Sequence, residues 1–171
     1  MQTKTREQII DTLLEGYRTN YNIATVEGQE DGIVASAEYH VSESGYVLIR
    51  SAETWTANSN EYVYFISVPH LTSDLASDYV EFAYRDALDK LDIDHAKHHM
   101  CTRAVTVFVC DEIAPEAEAI IRKCNRRKSF MFSLKGWLEV HTIGIVLGQK
   151  GLYVISNRYA KDTAEYINEL F

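Results

Sequence analysis

Two stretches of the chain repeat one short pattern, Glu38-Tyr39-His40 and Glu139-Val140-His141. On a β-strand alternate side chains share a face, so each stretch points a carboxylate and an imidazole the same way. If the two strands were neighbours, Glu38, His40, Glu139 and His141 would offer two carboxylates and two imidazoles, a donor set suited to zinc, iron or manganese. Polar alternation on a solvated sheet face writes the same string, and so short a pattern recurs easily. The densest histidine group is His95, His98 and His99, in Asp94-His95-Ala96-Lys97-His98-His99. Such a tract can bind transition metals, but with no further ligand at a metal-binding interval it reads first as a solvated loop. Glu53 and Glu61 flank the polar loop Thr56-Ala57-Asn58-Ser59-Asn60. Carboxylates there could form an acid and base pair, yet no nucleophile stands beside them.

The other chemically marked stretch is Arg122-Lys123-Cys124-Asn125-Arg126-Arg127-Lys128, five cations in seven residues. It closes an expected helix, where cations complement the helix dipole. It could equally hold phosphate, an anion or an acidic partner. The wider charge pattern favours the partner. Residues 1–121 carry 8 Lys+Arg against 21 Asp+Glu and residues 122–171 carry 9 against 4, a net of −13 followed by +5. An acidic body with one basic region steers association with an acidic surface, including that of a second copy. The total of −8 works against general nucleic-acid binding, since the body would repel a phosphate backbone.

Cys101, Cys110 and Cys124 are odd in number, nine and fourteen residues apart, and fit neither a disulfide framework nor a zinc ribbon. Cys110 ends the apolar run Val105-Thr106-Val107-Phe108-Val109-Cys110 and reads as core filler. Phosphate-loop, dinucleotide and nucleophile-elbow motifs are absent, and no apolar run is long enough for a signal peptide or membrane span. These features lead us to expect a cytoplasmic, ordered protein forming a single domain over residues 1–171, with no cofactor required and a divalent metal as the alternative.

The elements that must position these residues follow from periodicity. Ile9, Ile10, Leu13, Leu14 and Tyr17 predict a helix from about Thr5 to Asn20, with Thr5 and Gln8 as a capping box. Strands are expected at Ile33 to Val41, Tyr46 to Trp55 and Glu61 to Val68, the last stopped by Pro69. A helix follows from Ser73-Asp74 to about Leu91, its buried stripe Leu75, Tyr79, Phe82, Ala83 and Leu88. The stretch from about Met100 to Asp111 is apolar on both faces, as in a central strand. Next come a helix over Glu116 to Asn125, one or two strands over Phe130 to Leu147, a strand at Leu152 to Ser156 and a closing helix at Asp162 to Phe171. Within them, Phe130-Met131-Phe132-Ser133-Leu134 alternates like a half-buried strand. The order α-β-β-β-α-β-α-β-β-α predicts an α/β fold of the mixed α+β kind, one mixed sheet of about five to seven strands with helices on both faces.

Over about residues 5–111 that order is similar to the core of the restriction-endonuclease-like superfamily, a helix, a three-strand meander, a helix and a further strand. The resemblance would imply a metal-dependent hydrolase or phosphodiesterase, with an acidic residue on the second strand and E-x-K or D-x-K on the third. This chain has Ile66-Ser67-Val68 at that place, so the likeness extends to element order alone. With no complete catalytic set, the sequence favours a non-enzymatic protein acting by self-association, or by binding an acidic partner or anion, through Arg122, Lys123, Arg126, Arg127 and Lys128.

Overall fold

The computed structural model describes residues 4–29, 31–41, 58–91 and 99–171. Its centre is the stretch that is apolar on both faces, which forms the middle of strand β4 (His99–Ile113). Ala104, Phe108 and Cys110 enter one core and Val105, Val107 and Val109 the other. A strand covered on both sides has no solvated face to mark with polar residues. The remaining strands are β1 (Asn22–Thr25), β2 (Gly32–Val41), β3 (Asn58–Leu71), β5 (Arg127–Ser129), β6 (Trp137–Val146) and β7 (Tyr153–Ser156). They build one seven-stranded sheet in the order β1-β2-β3-β4-β6-β5, with β7 pairing to β6 beyond the three-residue β5. The β3, β4 and β6 strands run parallel and the other pairings are antiparallel, which makes the expected mixed sheet.

Parallel neighbours need crossovers, and two crossovers stepping the same way across a sheet place their helices on the same face. Helices α2 (Ser73–Asp89) and α3 (Pro115–Lys123) accordingly share one core with the even-numbered side of β4. The small Ala76, Ala83 and Ala87, with Val80, lie flat on the sheet, and bulkier residues are displaced to the flanks. Leu75, Tyr79 and Leu88 are therefore only partly buried, and Phe82, expected in the stripe, is 44% exposed against the edge of Tyr64. The opposite face is covered by α1 (Arg6–Tyr17), through Ile9, Ile10, Leu13 and Leu14, and by α4 (Lys161–Leu170), through Ala164 and Ile167. Thr5 and Gln8 form the capping box: the Gln8 amide donates to Thr5 Oγ1 at 3.2 Å and the Thr5 amide to Gln8 Oε1 at 3.0 Å.

Three expectations need correction or fall outside these residues. Pro69 does not end β3, because the parallel ladder with β4 carries it on to Leu71, past Ser67 where pairing with β2 stops. Phe130-Met131-Phe132-Ser133-Leu134 is not a strand but a turn between β5 and β6, with Met131, Phe132 and Ser133 at φ 47°, 54° and 68°. The strand expected at Tyr46 to Trp55 lies outside the described residues, while β1 adds an edge strand that periodicity missed.

Candidate functional site

The two Glu-x-His strands do not meet. β3 and β4 separate β2 from β6, a gap of three strand spacings, or about 14 Å. The cross-sheet register also runs Glu38, Tyr62, Ala104, Val140, so Glu38 shares its face with Val140 and not with Glu139. The four proposed metal ligands therefore stand on opposite faces. Glu38 is drawn instead to Lys90, whose Nζ lies 2.7 Å from Glu38 Oε1 and 2.8 Å from Asp86 Oδ2. His40 Nδ1 lies 3.0 Å from Asn60 Oδ1. Among the described residues no three His, Cys, Asp or Glu side chains gather as a metal site. His95, His98 and Glu53 lie outside those residues, and His99 opens β4.

Glu139 and His141 instead join a cross-sheet row. The register aligns Tyr39, Glu61, Arg103, Glu139 and Arg127 on five successive strands, an alternation of signs that periodicity could not reveal because it depends on long-range pairing. Glu61 accepts from Tyr21 Oη at 2.9 Å and from Arg103 Nη1 at 3.3 Å, and Glu139 Oε1 sits 3.0 Å from His141 Nε2. Burial pushes the Glu139 carboxyl up, but the His141 contact and the charges of His141, Arg103 and Arg127 outweigh it and hold the group below the usual carboxylate range. His141, 8% exposed, also stacks on Tyr159 with ring centroids 5.9 Å apart. Each charge in the row faces an opposite one, which fits a device that fixes strand register. The neighbouring Cys101 thiol is pushed up to about 11, above all by burial, and the Cys110 thiol to about 12 for the same reason, so neither is an activated nucleophile.

At the other end of the parallel strands a cavity of about 620 Å³ opens beside the start of α1. Ser67 is buried there with its Oγ 2.8 Å from Arg6 Nη1. Arg6 also reaches Asp31 at 2.8 Å and Asp111 at 3.1 Å. Three of its contacts are thus spent on protein oxygens.

The basic segment is split rather than continuous. Arg122 pairs with Glu118 at 2.7 Å along α3. Arg126 turns to the α2 side, bonding Glu81 and lying 3.7 Å over the Tyr84 ring. On β5, alternation sends Arg127 to the face of Glu139 and Lys128 to that of Leu138. Arg127 lies 4.7 Å over Trp137 and Lys128 5.7 Å over Phe130. What they frame is the turn between β5 and β6. Met131, Phe132 and Leu134 are 60%, 101% and 83% exposed there, followed by Lys135. Three consecutive non-glycine residues in the left-handed region are costly, and here they hold an apolar tip in solvent.

A second apolar feature lies between α1 and α4. Leu13, Gly16, Tyr17, Tyr166, Ile167 and Leu170 are among the residues that line a cavity of about 170 Å³. The helices on either side carry exposed Glu7, Asp11 and Glu15 on α1 and Asp162, Glu165 and Glu169 on α4. Within them stand only Arg6 and Lys161 as cations.

These features define a mixed α/β sheet protein with an apolar finger in a basic frame and an apolar groove between acidic helices. Residues 5–169 match the family described as Domain of unknown function (DUF8052), and the chain belongs to that family. No curated protein and no solved structure matches it. No helix among the described residues is long and apolar enough to cross a membrane.

Proposed function

We propose that the protein is a non-enzymatic association module that joins copies of itself through the turn between β5 and β6. The observation that carries this reading is the exposed Met131, Phe132 and Leu134 tip, held in strained backbone between Arg127, Lys128 and Lys135. Isolated exposed apolar residues are ordinary, but three on one turn, maintained at a conformational cost, call for a covering surface. Burying three such side chains is worth roughly 1.5–3 kcal/mol each. Association costs about 4–15 kcal/mol in lost freedom, so the contact should be concentration-dependent and assisted by charge. The acidic body of a second copy supplies the opposite charge. A cytosolic setting belongs to this reading and is supported by the three free cysteines.

Sedimentation velocity over a protein-concentration series at low salt tests the reading. The wild type should show mass above the monomer that grows with concentration, and the double variant Phe132→Ser/Leu134→Ser should stay monomeric. A wild type that is monomeric throughout, or a double variant that associates as the wild type does, would overturn it.

A further inference from the structure

We infer that the surface receiving the finger is the groove between α1 and α4 of a second copy, which makes the contact head-to-tail. This inference rests on the self-association reading and names the other half of the interface. A two-fold contact between fingers would set Arg127, Lys128 and Lys135 against their own copies, and like charges oppose such pairing. The groove has the complementary character. Its wall includes Leu13 and Ile167, each 2% exposed, with Tyr166 and Leu170 at its mouth, and cavities of roughly 150 Å³ accept a benzene ring. A volume of about 170 Å³ thus suits the Phe132 ring.

Charge agrees with shape. Asp162 and Glu169 stand four residues before and three after Tyr166, which places them beside it on the helix surface. Arg18, just past α1, pairs with Glu15 at 3.1 Å and Lys161 with Glu165 at 3.7 Å, yet the six carboxylates of α1 and α4 outnumber their two cations, Arg6 and Lys161, while Lys128 and Lys135 flank the finger. Gly16 adds an independent sign. It lies in the last turn of α1 and lines the groove, and a Cβ placed on it would meet nothing within 4 Å. Its missing side chain leaves the groove open at that point.

Complementation tests the inference by sedimentation velocity. Gly16→Leu fills the groove while replacing a helix breaker with a helix former, so its melting temperature should not fall. Alone, Gly16→Leu should lose all mass above the monomer, as should Phe132→Ser. Mixed in equal amounts they should form a dimer and nothing larger, because the finger of the first enters the groove of the second and neither chain can extend further. A charge-swap pair provides a second route: Asp162→Lys/Glu169→Lys should be monomeric, and mixing it with Lys128→Glu/Lys135→Glu should restore association. If Gly16→Leu still associates while Phe132→Ser does not, or if neither mixture gives a complex, the groove is not the receptor and the inference fails, though the finger reading stands. If Phe132→Ser associates like the wild type, that reading fails with it.

Discussion

Asn157 shows how much one side chain can hold. It is 1% exposed and uses its full hydrogen-bonding capacity: Nδ2 donates to the carbonyls of Cys124 at 3.1 Å and Val140 at 2.8 Å, and Oδ1 accepts from the amides of Thr142 at 3.3 Å and Ala160 at 3.1 Å. Those bonds join the end of α3, strand β6 and the entry to α4. Asn157→Ala should lower unfolding free energy by about 3 kcal/mol, since buried groups left unpaired carry their full desolvation penalty. Asn157→Asp should be no better, because a carboxylate cannot donate to the two carbonyls. Urea denaturation measures both. Glu139 makes a prediction in pH. Its folded carboxyl titrates below its unfolded value of 4.5, so the unfolded chain takes up the proton first and stability falls as pH drops below about 4.5. Glu139→Gln should be less stable than the wild type at neutral pH and should lose less on acidification, so the two denaturation curves should converge toward acid. Equal pH slopes would remove the row its stabilising role.

At the scale of elements, the turn between β5 and β6 shows why some of the fold was legible and some was not. Periodicity located α1, its Thr5 capping box, α2 and the doubly buried β4, because each records its burial in its own residues. The same rule misread Phe130-Met131-Phe132-Ser133-Leu134, since alternation marks a strand only when a neighbouring strand and a core are there to receive it. Pairing partners lie far apart in sequence. The register that puts Glu38 and Glu139 on opposite faces, and aligns Glu61, Arg103 and Glu139 in one row, therefore had no local signature. The basic segment was visible as composition, but its division between two faces follows from the alternation of β5. The turn itself can be tested as an element. Ser133 sits at φ 68°, where a side chain costs about 1–2 kcal/mol. Glycine gives back roughly 0.5–1 kcal/mol through unfolded-state entropy. Ser133→Gly should therefore raise stability by about 0.5–1 kcal/mol and leave association intact, as judged by thermal melts and sedimentation. A loss of stability would show that the serine has a structural role outweighing its strain.

For the whole molecule, the charge asymmetry and the finger should control different steps of association. The −13 of residues 1–121 and the +5 of residues 122–171 act at a distance and bear on how often two copies meet in the productive orientation. The Debye length shrinks from about 30 Å at 0.01 M salt to about 3 Å at 1 M, so this steering should disappear as salt is added. Burial of Phe132 acts only after contact, and salt should scarcely touch it. Lys128→Glu/Lys135→Glu should therefore slow association and flatten its salt dependence, with dissociation little changed. Phe132→Leu, which keeps an apolar tip but leaves the cavity partly filled, should speed dissociation several-fold and keep the wild-type salt slope. Stopped-flow mixing of a chain labelled away from both surfaces with unlabelled chain separates the two rates. If the lysine variant changed only dissociation, or the Phe132 variant only association, the finger and the charged frame would not divide the work in this way.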